Sequence, residues 1–229
     1  NGCTALTSVD VSGFDTSKVT DMKGLFFECQ SLLSVDVSRF QTGNITDMSQ
    51  MFAHCYALTQ VDVSKFDTSN VTNMANMFNG LKKVASIAVS NFDTSKVTSM
   101  ENMFLNCYLL TEIDVSNFDT KNVTNMKQMF EACYVVTTLD VSKFSTSKVT
   151  NMNRMFCNCK LVAKLNVSKF DTSNVTDMGG MFSGCQALTE LDVSHFNTSK
   201  VVTMTHSGIN SQGEPFSKGL FQQCKALIS

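Results

Sequence analysis

Phe14, Phe40, Phe66, Phe92, Phe118, Phe144, Phe170 and Phe196 fall every 26 residues without slippage. From Phe170 the unit reads F-D-T-S-N-V-T-D-M-G-G-M-F-S-G-C-Q-A-L-T-E-L-D-V-S-H, and Phe196 begins it again. A fixed period of this size marks a stacked-repeat architecture, in which no unit can bury its apolar face alone. Each column of the repeat is therefore core or surface along the whole array.

The columns sort accordingly. All 14 methionines lie in two columns, those of Met22 and Met51, and 16 of the 18 phenylalanines lie in the columns of Phe14 and Phe26. Large side chains repeated rung on rung make a continuous core. A methionine-rich docking surface is the weaker alternative. With 43% hydrophobic and 17% charged residues the chain can bury a core, so its short polar stretches are not disorder. A net charge of −2 gives no reason to expect nucleic acid as a partner. No apolar run approaches the ~18 residues of a spanning helix, so no membrane insertion by this segment is expected.

Nine cysteines suggest a disulfide framework or metal sites, but eight share one column: Cys3, Cys29, Cys55, Cys107, Cys133, Cys159, Cys185 and Cys224. The rung that breaks the column has Leu81. Leucine replaces a buried apolar group, not a ligand or half of a bridge, so free buried thiols are expected. Cys157, two residues before Cys159, is expected at the surface.

Each unit divides into three parts. L-T-x-L-D-V-S alternates apolar and polar residues and reads as a short strand. F-D-T-S-N is a turn. In V-T-x-M-x-x-M-F-x-x-C the first four residues suit a second short strand, and M-x-x-M-F-x-x-C has i, i+3, i+4, i+7 spacing, predicting about two turns of helix or 3-10 structure. The expected fold class is an α/β repeat solenoid of the leucine-rich-repeat type, with one short parallel strand, a turn and a short helical or 3-10 segment per 26-residue rung. It is read as one domain, 1–229, with an inserted loop at 205–217 that holds the chain's only proline, Pro215. Neither end has a polar capping repeat, so the sequence is read as a piece of a longer array.

The combination M-F-x-x-C-x-x-L-T-x-L-D-V-S-x-F-D-T-S-N-V-T-x-M, with L-x-x-L-x-V at Leu6, Val9 and Val11 and again at Leu188, Leu191 and Val193, resembles the BspA-like leucine-rich repeat of bacterial surface proteins. The likeness covers the chain except the insertion. One departure is that the Phe14 column replaces the asparagine that ordinarily bonds the turn backbone. The resemblance implies a cell-surface, extracellular location, lipoprotein or wall-anchored in the full-length protein, and adhesion to host or neighbouring cells.

The candidate binding face is the exposed side of the strand segment. Asp10, Asp36, Asp62, Asp114, Asp140 and Asp192 stand in one column, interrupted by Ala88 and Asn166. Two positions earlier the column varies and includes Glu112, Lys164 and Glu190. Carboxylates about 4.8 Å apart repel modestly in water. They suit a cationic or hydroxyl-rich ligand or Ca²⁺, or else a solvated face bonding its own serines and backbone. Two threonine columns, those of Thr16 and Thr20, suit hydrogen bonding within turns or between rungs; ordering of water is the other reading. Sequons at Asn44, Asn70, Asn122, Asn166, Asn174 and Asn197 follow from the repeated N-V-T and are weak signals. His54, His195 and His206 occupy unrelated columns, and no metal, nucleophile or phosphate-loop motif occurs. The reading is a non-enzymatic recognition and adhesion module without a cofactor. Its expected partner is a host or neighbouring-cell surface protein or glycan, and self-association is possible. A structural spacer or stalk without a ligand is the alternative.

Overall fold

The computed structural model describes residues 2–209 and 215–227. Successive 26-residue units stack as rungs joined by parallel, single-residue bridges. One ladder of bridges is continuous, running through Asp21, Asp47, Asn73, Ser99, Asn125, Asn151, Asp177 and Thr203. The core fills the interior. Phe52, Phe78, Phe104, Phe130, Phe156 and Phe182 are fully buried, as are Met48 and Met51. Phenylalanine rings of this column stack nearly parallel, with centroids 5.7 Å apart between Phe104 and Phe130 and between Phe182 and Phe221.

The expected α/β rung of leucine-rich-repeat type does not form. Among the described residues there is no helix and no 3-10 segment, and the only strands are β1 (His206–Ile209) and β2 (Pro215–Lys218). These pair antiparallel within the 205–217 insertion and the residue after it. The repeat itself is built of turns. In M-x-x-M-F-x-x-C, three overlapping turns close with Leu25 N–H on Met22 O, Phe27 N–H on Gly24 O and Cys29 N–H on Phe26 O.

Positive φ angles explain why no helix forms there. Gly24, Gln50, Asn76, Asn102, Gln128, Arg154 and Gly180 are left-handed at the second residue after the first methionine. Glu28, His54, Gly80, Asn106, Ala132, Asn158 and Gly184 are left-handed four residues later. A left-handed residue twice per segment breaks an α-helix and suits turns that need a positive φ at their third residue. The amides this frees point along the stack. Met22, Gly24, Phe26 and Glu28 donate to Asp47, Ser49, Met51 and Ala53 of the next rung at 2.8–3.0 Å. A two-turn helix is marginal on its own. Bonding to a neighbouring rung satisfies the same groups while the methionine, phenylalanine and cysteine columns still face inward.

Threonines tie the rungs at two other corners. Buried Thr120 donates its hydroxyl to Ser145 O at 2.9 Å and accepts Ser145 N–H at 2.8 Å. The exposed Thr46, Thr72, Thr98, Thr124, Thr150 and Thr176 each donate their backbone N–H and hydroxyl to the carbonyl of the preceding rung's threonine. Both columns therefore serve rung-to-rung bonding.

Candidate binding face

The L-T-x-L-D-V-S side differs from the other two. Its bridges are confined to Ser8 with Ser34, Ser86 with Glu112, and Lys164 with Glu190. Among the described residues the other rungs have no bridge on this side, though Thr59 N–H still reaches Leu33 O at 3.3 Å, and the segment expected to form the parallel sheet is the least regularly paired in the rung. Three hollows open on it. One of about 440 Å³ is lined by residues that include Asp36, Asp62, Val61 and Ser86. Another of about 440 Å³ is lined by residues that include Ile87, Ala88, Glu112, Ile113, Asp114 and Asp140. The largest, about 840 Å³, lies among Lys164, Leu165, Glu190, Asp192, Phe221 and Leu227.

All eight candidate residues, Asp10, Asp36, Asp62, Glu112, Asp114, Asp140, Lys164 and Asp192, are exposed. Each aspartate of the column accepts the N–H of the serine two residues on, as Asp114 does from Ser116 at 3.1 Å. Hydrogen bonds from that serine hold Asp36, Asp62, Asp114, Asp140 and Asp192 below the ordinary carboxylate range, the side-chain bond leading; at Asp10 the backbone bond leads. Folding thus favours the charged forms, and what this contributes is present at neutral pH and lost as pH falls through the lowered values. Lys164 and Glu190 pair at 3.0 Å with both side chains largely exposed, a contact worth little on its own. Among the described residues no three His, Cys, Asp or Glu side chains cluster to hold a metal ion. No described helix is long and apolar enough to cross a membrane.

The family described as "Mycoplasma protein of unknown function, DUF285" matches in four overlapping segments, residues 1–87, 60–139, 82–165 and 136–212. The chain belongs to this family. No curated protein and no solved structure matches it.

Three further features of this DUF285 chain were not legible from its motifs. Cys157 is buried, not at the surface, because its column lies in the tight-turn segment, where Ala53, Asn79, Glu131 and Ser183 are buried as well. A partly buried ion pair, half-buried Arg154 with buried Glu131, sits in the same segment, and Gln128 donates to Glu131 at 2.6 Å. All three tyrosines share one column with lysines. Lys82 Nζ lies 3.9 Å from the Tyr56 ring centroid, Lys160 Nζ 4.2 Å from that of Tyr134, and Tyr108 stacks on Tyr134 at 4.9 Å. Assigning tyrosine and lysine by column would have found this ladder.

The cysteines are free thiols. Each column sulfur from Cys55 onward bonds a phenylalanine carbonyl of the preceding rung, as Cys107 Sγ does to Phe78 O at 3.2 Å. Burial pushes Cys55 and Cys107 up to about 12. Thiol titration of the native protein at neutral pH is expected to label Cys3 fast, Cys224 slowly and the buried seven only on denaturation. Fast labelling of more than two thiols in the native state would contradict this burial pattern.

The sequons divide as well. Asn44, Asn70, Asn122 and Asn174 donate Nδ2 to a carbonyl of the preceding rung at 2.8–2.9 Å, so a glycan there would cost a rung-to-rung bond.

Proposed function

We propose that this chain is a non-enzymatic recognition module. It binds a protein or glycan on a host or neighbouring cell through its L-T-x-L-D-V-S face. The observation that carries the reading is that three hollows open on that face, beside an exposed column that varies from rung to rung, Ser34, Gln60, Ser86, Glu112, Thr138, Lys164 and Glu190, while the buried columns repeat. Rigid scaffolds with variable exposed positions are how repeat proteins build extended binding surfaces. The likeness to BspA-like surface repeats supports the finer assignment, an extracellular adhesin anchored outside the cell. The spacer reading draws on the other two sides, whose near-identical rungs are bonded throughout.

Adhesion of chain-coated beads to cultured cells tests the proposal. Asp114→Lys with Asp140→Lys reverses charge mid-array and also removes the turn bonds to Ser116 and Ser142, each worth about 1 kcal/mol. Asp114→Ala with Asp140→Ala, which loses the same bonds without adding positive charge, is therefore the stability control. Adhesion is expected to fall further for the lysine pair than for the alanine pair, with similar melting temperatures for the two. Unchanged adhesion would move attention from this face to the β1–β2 hairpin, and beads that never adhere favour the spacer.

A further inference from the structure

We infer that the hollow between residues 86 and 140 takes an arginine or lysine side chain presented by a protein partner. This rests on the recognition reading above and commits it to one ligand chemistry.

The three hollows differ in charge. Three residues after the aspartate column runs a second column: Gly13, Arg39, Lys65, Asn91, Asn117, Lys143, Lys169 and His195. Around the 34–86 hollow, Arg39 and Lys65 accompany Asp36 and Asp62, and both cations act on the Asp36 carboxylate. In the largest hollow Lys164 is already paired with Glu190. Around the middle hollow the cations give way to amides. Asn91 and Asn117 are tied by Nδ2 to Ser64 O at 2.7 Å and Ser90 O at 3.1 Å. Glu112, Asp114 and Asp140 line this hollow, and Lys143 is the cation felt by both aspartates. It is thus the acidic one of the three.

Its floor and its acceptors fit one kind of side chain. Ile87, Val89 and Ile113 form an apolar base, and Ala88 stands where neighbouring rungs carry an aspartate. Both hydrogen bonds that Asp114 accepts from Ser116 fall on Oδ1, leaving its Oδ2 to accept, and Ser142 N–H likewise falls on Asp140 Oδ1. Lysine and arginine lay an aliphatic stem on apolar surface and carry the charge to a carboxylate beyond it. The three carboxylates do not cluster tightly enough to share a metal ion, but each lines the hollow and can meet the head group of a long cationic side chain that enters it. The rung bearing Thr138, which also lines the hollow, bridges neither neighbour on this side among the described residues.

The test uses a fluorescein-labelled, end-capped peptide with arginine at alternate positions, and the same peptide with neutral citrulline. Binding to the whole chain is read by anisotropy. Asp114→Asn with Asp140→Asn removes charge and keeps the turn, because Asn166 Oδ1 accepts Ser168 N–H in the same way at 3.1 Å. The arginine peptide is expected to bind at least about tenfold tighter than the citrulline peptide. The Asn pair is expected to lose that preference, and the control pair Asp36→Asn with Asp62→Asn to keep it. Equal loss from both pairs, equal binding of both peptides, or no binding of either overturns the inference. Beads that adhere to cells while the chain ignores the arginine peptide overturn the ligand chemistry and leave recognition standing. Failure of both overturns the recognition reading too.

Discussion

Phe104→Ala is expected to destabilise the chain by about 3–5 kcal/mol, as buried phenylalanine truncations do. Phe104 is fully buried, and its ring stacks on Phe78 at 5.6 Å and on Phe130 at 5.7 Å. The substitution removes both ring contacts and leaves a cavity between rungs. The cavity cannot readily collapse, because backbone bonds fix the rungs on both sides: Phe78 N–H on Met103 O at 3.0 Å and Phe104 N–H on Met129 O at 2.9 Å. Stability in a stacked array depends on nearest-neighbour interfaces, so weakening one mid-array also loosens the coupling between the two halves. Urea denaturation is expected to show a lower midpoint and a shallower slope. Phe14→Ala is the control. Phe14 is 55% exposed, and its truncation should cost far less. Equal costs at the two positions would mean that the phenylalanine columns are not the structural spine.

Gly179→Ala is expected to cost about 1–3 kcal/mol, as overpacking does. A Cβ at Gly179 would lie 2.4 Å from the Thr205 carbonyl oxygen and 2.9 Å from its carbon, and backbone cannot step aside as a flexible side chain would. The same column carries Lys23, Ser49, Ala75, Glu101, Lys127 and Asn153 in the earlier rungs, so glycine is required only here. Thr205 is where the chain leaves the repeat for β1 and β2, and it rejoins at Leu220, whose carbonyl accepts Phe182 N–H at 3.1 Å. Deleting residues 206–218 returns the eighth rung to the regular spacing. In that background the Asn153 amide, 3.0 Å from the added Cβ and at the end of a side chain that can shift, is the contact left, and Gly179→Ala should cost under about 1 kcal/mol. A cost that persists after the deletion would show that the contact with Thr205 is not what demands glycine.

How much could be read beforehand differs from column to column. The core was legible, because Met, Phe and Cys recur in place and nothing but burial explains that repetition. So were the thiols, through Leu81, and the rung-bridging threonines, through their constancy. The helical segment was misread from the spacing of Met48, Met51, Phe52 and Cys55, which fits a helix and a ribbon of turns equally well. A corrective signal lay in the sequence: Gly24, Asn76, Gly80, Asn102, Asn106, Asn158, Gly180 and Gly184 fall in the two columns that are left-handed. Glycine and asparagine are the residues that most readily adopt positive φ. Gln128, Arg154 and Ala132 in those columns obscured it.

The candidate face was legible as a set of residues, not as a shape. Alternation of Leu191, Asp192, Val193 and Ser194 sets which side chains point out, since apolar groups leave water and charged ones keep it. Whether the rungs close or part on that side could not follow from alternation, because pairing there competes with bonding fixed at the other two corners. The sequence by itself determined the period, the identity of the core columns and the exposure of the aspartates. These are properties of one rung repeated, and burial by period is enough to set them. Only the tertiary structure decided that the amides of the M-x-x-M-F-x-x-C segment bond to the next rung and not within their own. It alone decided that the L-T-x-L-D-V-S side opens into hollows and that Gly179 gives way to Thr205. Each of these depends on what the adjacent rung offers at hydrogen-bonding distance, which no single repeat contains.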